Sequence, residues 1–185
     1  MGCDFERVLL SECVLAVIDN RGKTPPTNEL SGHPLYEVNS VSNTSKYLLE
    51  NAVRKYVDDS VYQSKFRSGH LKRGDIVVPT VGTLGQVAVA SRDGQSIAQN
   101  LVAFRSDPNI CDSDYLYYFL SSSKTRKQIL NLDIGGVQPS IKVPHLLDME
   151  VILPPLDLQK RISNILSIFD DAIELNNRIN DYLAA

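Results

Sequence analysis

Between Leu153 and Leu183 the side chains return at alternating steps of four and three: Leu158, Ile162, Ile165, Phe169, Ala172, Asn176, Ile179 and Leu183, all apolar except Asn176. A repeat near 3.5 residues keeps one seam of a helix facing a partner along its length, which an isolated surface helix does not need. Pro154 and Pro155 mark the start of that helix, since proline lacks an N–H that the first turn would leave unpaired anyway. Asp157 adds negative charge where the helix dipole favours it. Two arrangements satisfy the seam: the helix folds back on its own domain, or it pairs with another helix. One Asn in such a seam sets register or strand number at some cost in stability.

The chain has 185 residues, 43% hydrophobic and 22% charged, enough for one globular domain of about 150 residues and an appendage. No apolar run reaches the roughly 18 residues that span a bilayer. The stretch Met1-Gly2-Cys3-Asp4-Phe5-Glu6 has acids where a signal peptide wants bases, and Glu6 spoils the myristoylation pattern. Cys3, Cys13 and Cys111 give neither a disulfide framework nor a metal knuckle. A reducing, cytoplasmic compartment is therefore expected, with no membrane partner.

The net charge of −3 argues mildly against a strongly basic nucleic-acid binder, but the charge is uneven. Residues 46–73 carry seven bases against three acids, a net +4, and residues 148–181 carry seven acids against three bases, a net −4. A basic body and an acidic helix suit different partners, although each segment alone also reads as a solvated face.

In chain order the pattern is mixed α and β. Ser11 to Ala16 reads as a helical turn or the start of a strand, Asn20 to Pro26 as a loop, Pro34 to Val38 as a strand, and Ser60 to Phe66 as a helical turn closed by Gly69. Ile76-Val77-Val78 is a buried strand, Val81 to Gly85 a glycine-spaced bend, and Gln86 to Ala90 the return strand. Ile97 to Phe104 continues the sheet. Asp112 or Ser113 caps a helix through about Leu130, which Gly135-Gly136 breaks, and Met149 to Leu153 is a last strand. The expected fold class is α+β: a single mixed-sheet domain over residues 1–153 and a long helix over 154–185.

Four stretches, in order and spacing, resemble the specificity subunit of Type I DNA restriction–modification systems across nearly the whole chain. Gly22-Lys23-Thr24-Pro25 is similar to that family's early G-x-T-P. Gly74-Asp75-Ile76-Val77-Val78, with Val81-Gly82-Thr83-Leu84-Gly85-Gln86-Val87-Ala88, resembles its GDI…VGT-x-G-x-x-A hairpin. Ile97-Ala98-Gln99-Asn100 matches a polar-ended strand. Gly136-Val137-Gln138-Pro139-Ser140-Ile141, followed by Leu153-Pro154-Pro155-Leu156 and Gln159-Lys160-Arg161-Ile162, resembles its G-x-x-Q-x-x-I and PPLxEQ-x-x-I. Asp157-Leu158 departs from the last pattern, where the family has a variable residue and Glu.

The resemblance implies a target recognition domain followed by the first part of a spacer helix. In the family two such domains each read half of a split double-stranded DNA target, with the helices as a ruler between them. One domain and part of one helix are present here. The chain is therefore either a half-subunit that pairs with its own copy, through Leu158, Ile162, Ile165, Phe169, Ala172, Asn176, Ile179 and Leu183, or a stretch of a longer chain. Expected partners are the methyltransferase subunit and the restriction subunit; no cofactor and no metal are expected.

A domain of this kind needs Lys and Arg for phosphates and side chains with paired donors and acceptors for base edges. The candidates are Thr24, Lys46, Lys65, Arg67, Thr80, Thr83, Gln138, Ser140 and Lys142. Gln138 leads, because Gly135 and Gly136 let the backbone approach closely and Lys142 can hold a nearby phosphate. Against it stands a loop residue that caps its own backbone. Thr80 and Thr83 are ordinary in hairpins, and Gly82 and Gly85 can serve the bend alone. Tyr115, Tyr117 and Tyr118 suit a stacking platform or packing on the sheet, and the second is expected.

Catalytic signals are lacking. There is neither a G-x-x-x-x-G-K-[ST] loop nor a G-x-G-x-x-G. Pro154-Pro155 lacks the preceding Asn or Asp and the following aromatic of an adenine methyltransferase. His33, His70 and His145 read as exposed loop residues without metal-ligand spacing, and Asp58-Asp59 as a solvated turn. A non-catalytic subunit is expected. The alternatives are an adaptor that dimerises through its last helix without reading DNA, and a small nuclease with an unrecognised metal site.

Overall fold

The structure, a computed structural model, describes residues 5–22 and 24–184. Lys23 of the G-x-T-P stretch, residues 1–4 including Cys3, and Ala185 lie outside the described residues.

The elements run β1 (Glu6–Leu9), β2 (Val14–Ile18), β3 (His33–Tyr36), β4 (Lys55–Val57), α1 (Asp59–Lys65), β5 (Ile76–Pro79), β6 (Ala88–Val89), β7 (Ser96–Ile97), β8 (Leu101–Ser106), α2 (Ser113–Ser121), α3 (Ser123–Asn131), α4 (Val143–Leu147), β9 (Glu150–Leu153) and α5 (Leu156–Ala184). They form a four-stranded sheet in the order β2-β8-β5-β6, a three-stranded sheet β4-β3-β7 and a pair β1-β9. The fold is α+β, as the pattern implies.

The central sheet is buried on both faces, which is why Ile76-Val77-Val78 reads as an unbroken apolar run. Ile76, Val78, Val102 and Phe104 point into a core shared with α2, α3 and α4. Val77, Leu101 and Ala103 point to the other face, against Tyr36, Val41, Leu48 and Leu71. The period of two along a strand assigns neighbours to opposite cores. Asp75, 1% exposed, is the charged residue within this packing. Its carboxylate accepts from Arg105 at 2.9 and 2.6 Å and from the Lys72 backbone at 2.8 Å, tying the start of β5 to β8. The Asp of the G-D-I motif is thus a structural residue.

Several expectations are corrected. The helix expected through Leu130 is two helices. Ser122 takes an extended backbone (φ −61°, ψ 146°) and its hydroxyl accepts from the Thr125 N–H at 3.2 Å, capping α3 afresh. Three consecutive serines, whose side chains compete for backbone groups, make this the weak point. The run Ile97 to Phe104 is not one strand: Ser96–Ile97 pairs parallel with β3, and a turn closed by Leu101 N–H to Ala98 carbonyl separates it from β8. The return strand shrinks to Ala88–Val89. Strand β9 falls within the expected last strand, Met149 to Leu153, but its partner β1, strand β4 and helix α4 have no counterpart among the expected elements; β1 is mostly exposed, so it lacks a clear alternation.

Helix α5 starts inside the body. Gln159 is 1% exposed and Ser163 is buried, while Ile162 packs on the main core. Tyr118 on α2 donates its hydroxyl to Asp170 at 2.6 Å. Beyond this docked face the seam is uncovered in the chain: Ile165 is 58% exposed and Phe169 62%, Ala172, Ile179 and Leu183 are exposed as well, and so is the polar Asn176. Leu158 is half-buried. No helix among the described residues is long and apolar enough to cross a membrane.

Candidate nucleic-acid interface

Register places the loops. Strand β2 ends at Ile18 opposite Ala103, and β5 ends at Pro79 opposite Leu101. The loops after β2 and β5 therefore leave the same end of the sheet, two strand spacings apart, about 10 Å. The segment 65–69 joins the first loop. Asn20 donates to the Gly69 carbonyl at 3.0 Å, and Ser68 donates through its N–H to the Asn20 side chain and through its hydroxyl to the Asp19 carbonyl. The segment 133–141 joins the second. Ile141 N–H donates to the Thr80 carbonyl at 2.8 Å and Gly82 N–H to the Pro139 carbonyl at 3.0 Å.

Seven of the nine candidates fall into these two groups at the solvent boundary. Thr24, Lys65 and Arg67 are exposed around the first loop; Thr83, Gln138 and Lys142 are exposed, and Ser140 half-buried, around the second. The other two, Thr80 and Lys46, turn inward. Thr80 is 0% exposed and its hydroxyl donates to the Asn100 carbonyl, so it supports the turn from within. The Lys46 side chain is 8% exposed; its ammonium lies 2.8 Å from Asp114 and 5.2 to 5.8 Å from the rings of Tyr47, Tyr117 and Tyr118. It is an internal cation between α2 and the loop before β4, where a phosphate cannot reach it. Tyr115 and Tyr117 are buried, and burial first of all pushes both phenols up to about 12. They pack rather than stack on bases.

The net charge of residues 46–73 does not form one patch either. Besides Lys46, Lys55 pairs with Glu37 at 2.8 Å, and Arg54 donates to backbone carbonyls. A ring stack adjoins the segment 65–69 through His70. Tyr62 lies between His33 and His70, with both centroid distances 3.8 Å. These histidines are half-buried, not exposed. The Tyr62 carbonyl accepts from His70 Nε2, which leaves Nδ1 to accept from the Ser96 hydroxyl. Burial, with the nearby His33 charge, holds the His70 pKa below its ordinary value. At the loop itself, hydrogen bonding from Arg21 lowers the Asp19 pKa, with Arg67 adding to it. Among the described residues no three His, Cys, Asp or Glu side chains gather as a metal site.

The geometry adds residues absent from the candidates. Arg126 on α3 lays its stem over Gly85, where a Cβ would come within 2.9 Å of Arg126 Cγ. With its amide oxygen facing the guanidinium, the exposed Asn43 accepts from both terminal nitrogens of Arg126 at 3.1 and 3.2 Å. The signal available was three bases, Lys124, Arg126 and Lys127, within four residues of one short helix.

The model of the Type I restriction modification DNA specificity domain family matches residues 5–185. The Type I restriction enzyme MjaVIII specificity subunit of Methanocaldococcus jannaschii is 31% identical over 125 residues, 63% of this chain and 29% of that protein. The putative type I restriction enzyme MjaX specificity subunit of the same organism is 27% identical over 171 residues, 89% of this chain and 39% of that protein. The crystal structure of the HsdS subunit from Thermoanaerobacter tengcongensis superposes with a TM-score of 0.67 at 18% identity, covering 97% of this chain and 40% of that one. The chain thus spans well under half the length of these relatives.

Proposed function

Because the chain belongs to the Type I restriction–modification DNA specificity family, we propose that it reads one half of a split duplex target and carries no catalytic step of its own. Residues 1–153 form the reading body and 154–185 a spacer helix. Its partners in this reading are double-stranded DNA, a methyltransferase subunit and a restriction subunit. The observation that supports the proposal is that the loops after β2 and β5 leave the same end of the sheet, with the exposed or half-buried Thr24, Lys65, Arg67, Thr83, Gln138, Ser140 and Lys142 in or beside them. Lys142, Lys65 and Arg67 supply phosphate contacts, which fix register. Gln138, with donor and acceptor side by side, suits a base edge.

The uncovered apolar face of α5 from Ile165 to Leu183 supports pairing with a second helix, from a copy of this chain or from a second half. The test is selection from random duplex DNA, with and without a Type I methyltransferase subunit, followed by light scattering of the complex. A split motif with mirror-image halves on a dimer supports a paired half-subunit. A single short motif on a monomer supports one reading domain of a two-domain subunit. Absence of any enriched motif overturns DNA reading and favours an adaptor that dimerises through α5.

A further inference from the structure

The segment 133–141 is a protrusion with a fixed base and an apolar tip. At its base Ile134 N–H donates to the Ser140 carbonyl at 3.1 Å. The Asp133 carboxylate accepts from Gly135 N–H at 3.1 Å and Ser140 N–H at 2.9 Å. The 80–82 turn braces it from below. Gly135 (φ +75°) and Gly136 (φ +140°) then carry the chain outward, with open space at Gly135 and only the Gln138 carbonyl within 4 Å of a Cβ built at Gly136. At the apex Val137 is fully exposed, at 109%, and Ile134 beside it is 50% exposed.

A β-branched side chain held in water at the tip of a braced loop gains nothing from its own fold. Flexible tips favour Gly, Ser and Asn; an apolar group on a fixed stem gains free energy only when a partner removes it from water. Its neighbours define that partner. Gln138 follows it directly, and the exposed Lys142 lies just beyond the loop. A polar reader, a cation and a small apolar group along one protrusion match the floor of the DNA major groove. There the C5 methyl of thymine is the apolar feature and lies beside hydrogen-bonding base edges.

We propose that Val137 is a specificity-determining residue that packs on the C5 methyl of a thymine next to the base read by Gln138. The assignment rests on the DNA-reading function proposed above. Val137 selects thymine over cytosine and over uracil at that position, without any hydrogen bond.

The test replaces each thymine of the selected duplex, one at a time, by deoxyuridine, which removes the C5 methyl and nothing else. Binding is measured for the wild-type chain and for Val137→Ser, with a Type I methyltransferase subunit present. Loss of one buried methyl predicts an about fourfold weaker complex at a single position for the wild type, and no such loss for V137S. Because Val137 is fully exposed, V137S keeps the wild-type melting temperature. A sequence preference with no uracil-sensitive position, or a sensitivity that persists in V137S, overturns this inference and leaves DNA reading standing. Absence of any sequence preference in the selection overturns the underlying reading and this inference with it.

Discussion

Gln159 Oε1 accepts the backbone N–H of Asp112 at 2.9 Å, and Asp112 in turn caps α2 by accepting from Tyr115 N–H at 2.9 Å. The same Gln159 donates to the carbonyls of Ile110 at 3.1 Å and Pro154 at 2.8 Å. One buried side chain therefore joins the start of the terminal helix to the start of the helix it packs on. This gives the Gln of the Pro-Pro-Leu motif a physical role that does not involve DNA.

Gln159→Ala leaves three backbone groups without that partner in a buried setting. Each such group costs roughly 1–3 kcal/mol. The expected loss is about 3 kcal/mol in urea unfolding, with protection from hydrogen exchange falling first around residues 110–112 and 156–163. An unchanged unfolding midpoint would sink the assignment.

Lys46→Met tests the internal cation. It keeps the stem and removes the charge facing Asp114 and the three tyrosines. Such contacts contribute about 2 kcal/mol where partly desolvated, so thermal stability falls. The salt dependence of DNA binding stays at its wild-type slope, because no phosphate contact is lost. Lys142→Ala has the opposite profile, with stability unchanged and the slope of log affinity against log salt reduced by about one. A reduced slope for Lys46→Met would return Lys46 to the DNA surface.

His70 makes stability depend on pH. Its folded pKa lies below the ordinary 6.5, so around and below that value the unfolded chain binds more protons than the folded one. The stabilising contribution of the neutral ring is complete above 6.5 and is lost as pH falls beneath it. The facing groups are His33, Tyr62 and Ser96, with Asp59 bonded to His33. Melting temperature is expected to fall between pH 7.5 and 5.5, and to fall less in His70→Gln. Equal slopes in both proteins would remove His70 as the cause.

The free face of α5 makes a prediction about assembly. Apolar side chains buried at a helix pair contribute roughly 1.5–3 kcal/mol each. Ile165→Glu with Phe169→Glu should therefore convert a dimer to a monomer in light scattering, and should abolish any rise of the melting temperature with protein concentration while leaving the monomer's own stability unchanged, both sites being exposed in the single chain. A wild type that stays monomeric at every concentration would refute pairing through this face in the isolated chain.

The parts of the fold legible in the sequence are those with strong periodicity. Ile76-Val77-Val78 reads as a buried strand, and the repeat from Leu158 to Leu183 as one long helix. The break at Ser122 is not legible because three serines weaken a helix without forbidding it, and only the cap bond to Thr125 decides the matter. At the candidate site, exposure could not be read from residue type. Lys46 and Thr80 look like surface groups in sequence and turn inward because Asp114 and the Asn100 carbonyl meet them there. Arg126 does not stand out in the sequence because its position depends on Gly85, forty-one residues earlier in the chain.

The division of labour within the 133–141 protrusion has an evolutionary consequence. Every hydrogen bond that holds it comes from Asp133, Ile134, Gly135 and Pro139 to Ile141 or from the turn beneath; among the described residues, 136–138 make none. Substitutions at 137 and 138 are thus nearly free of folding cost. Mutation can explore this tip while the scaffold stays intact, so whatever surface the protrusion meets, its side chains can be exchanged one residue at a time without unfolding the body.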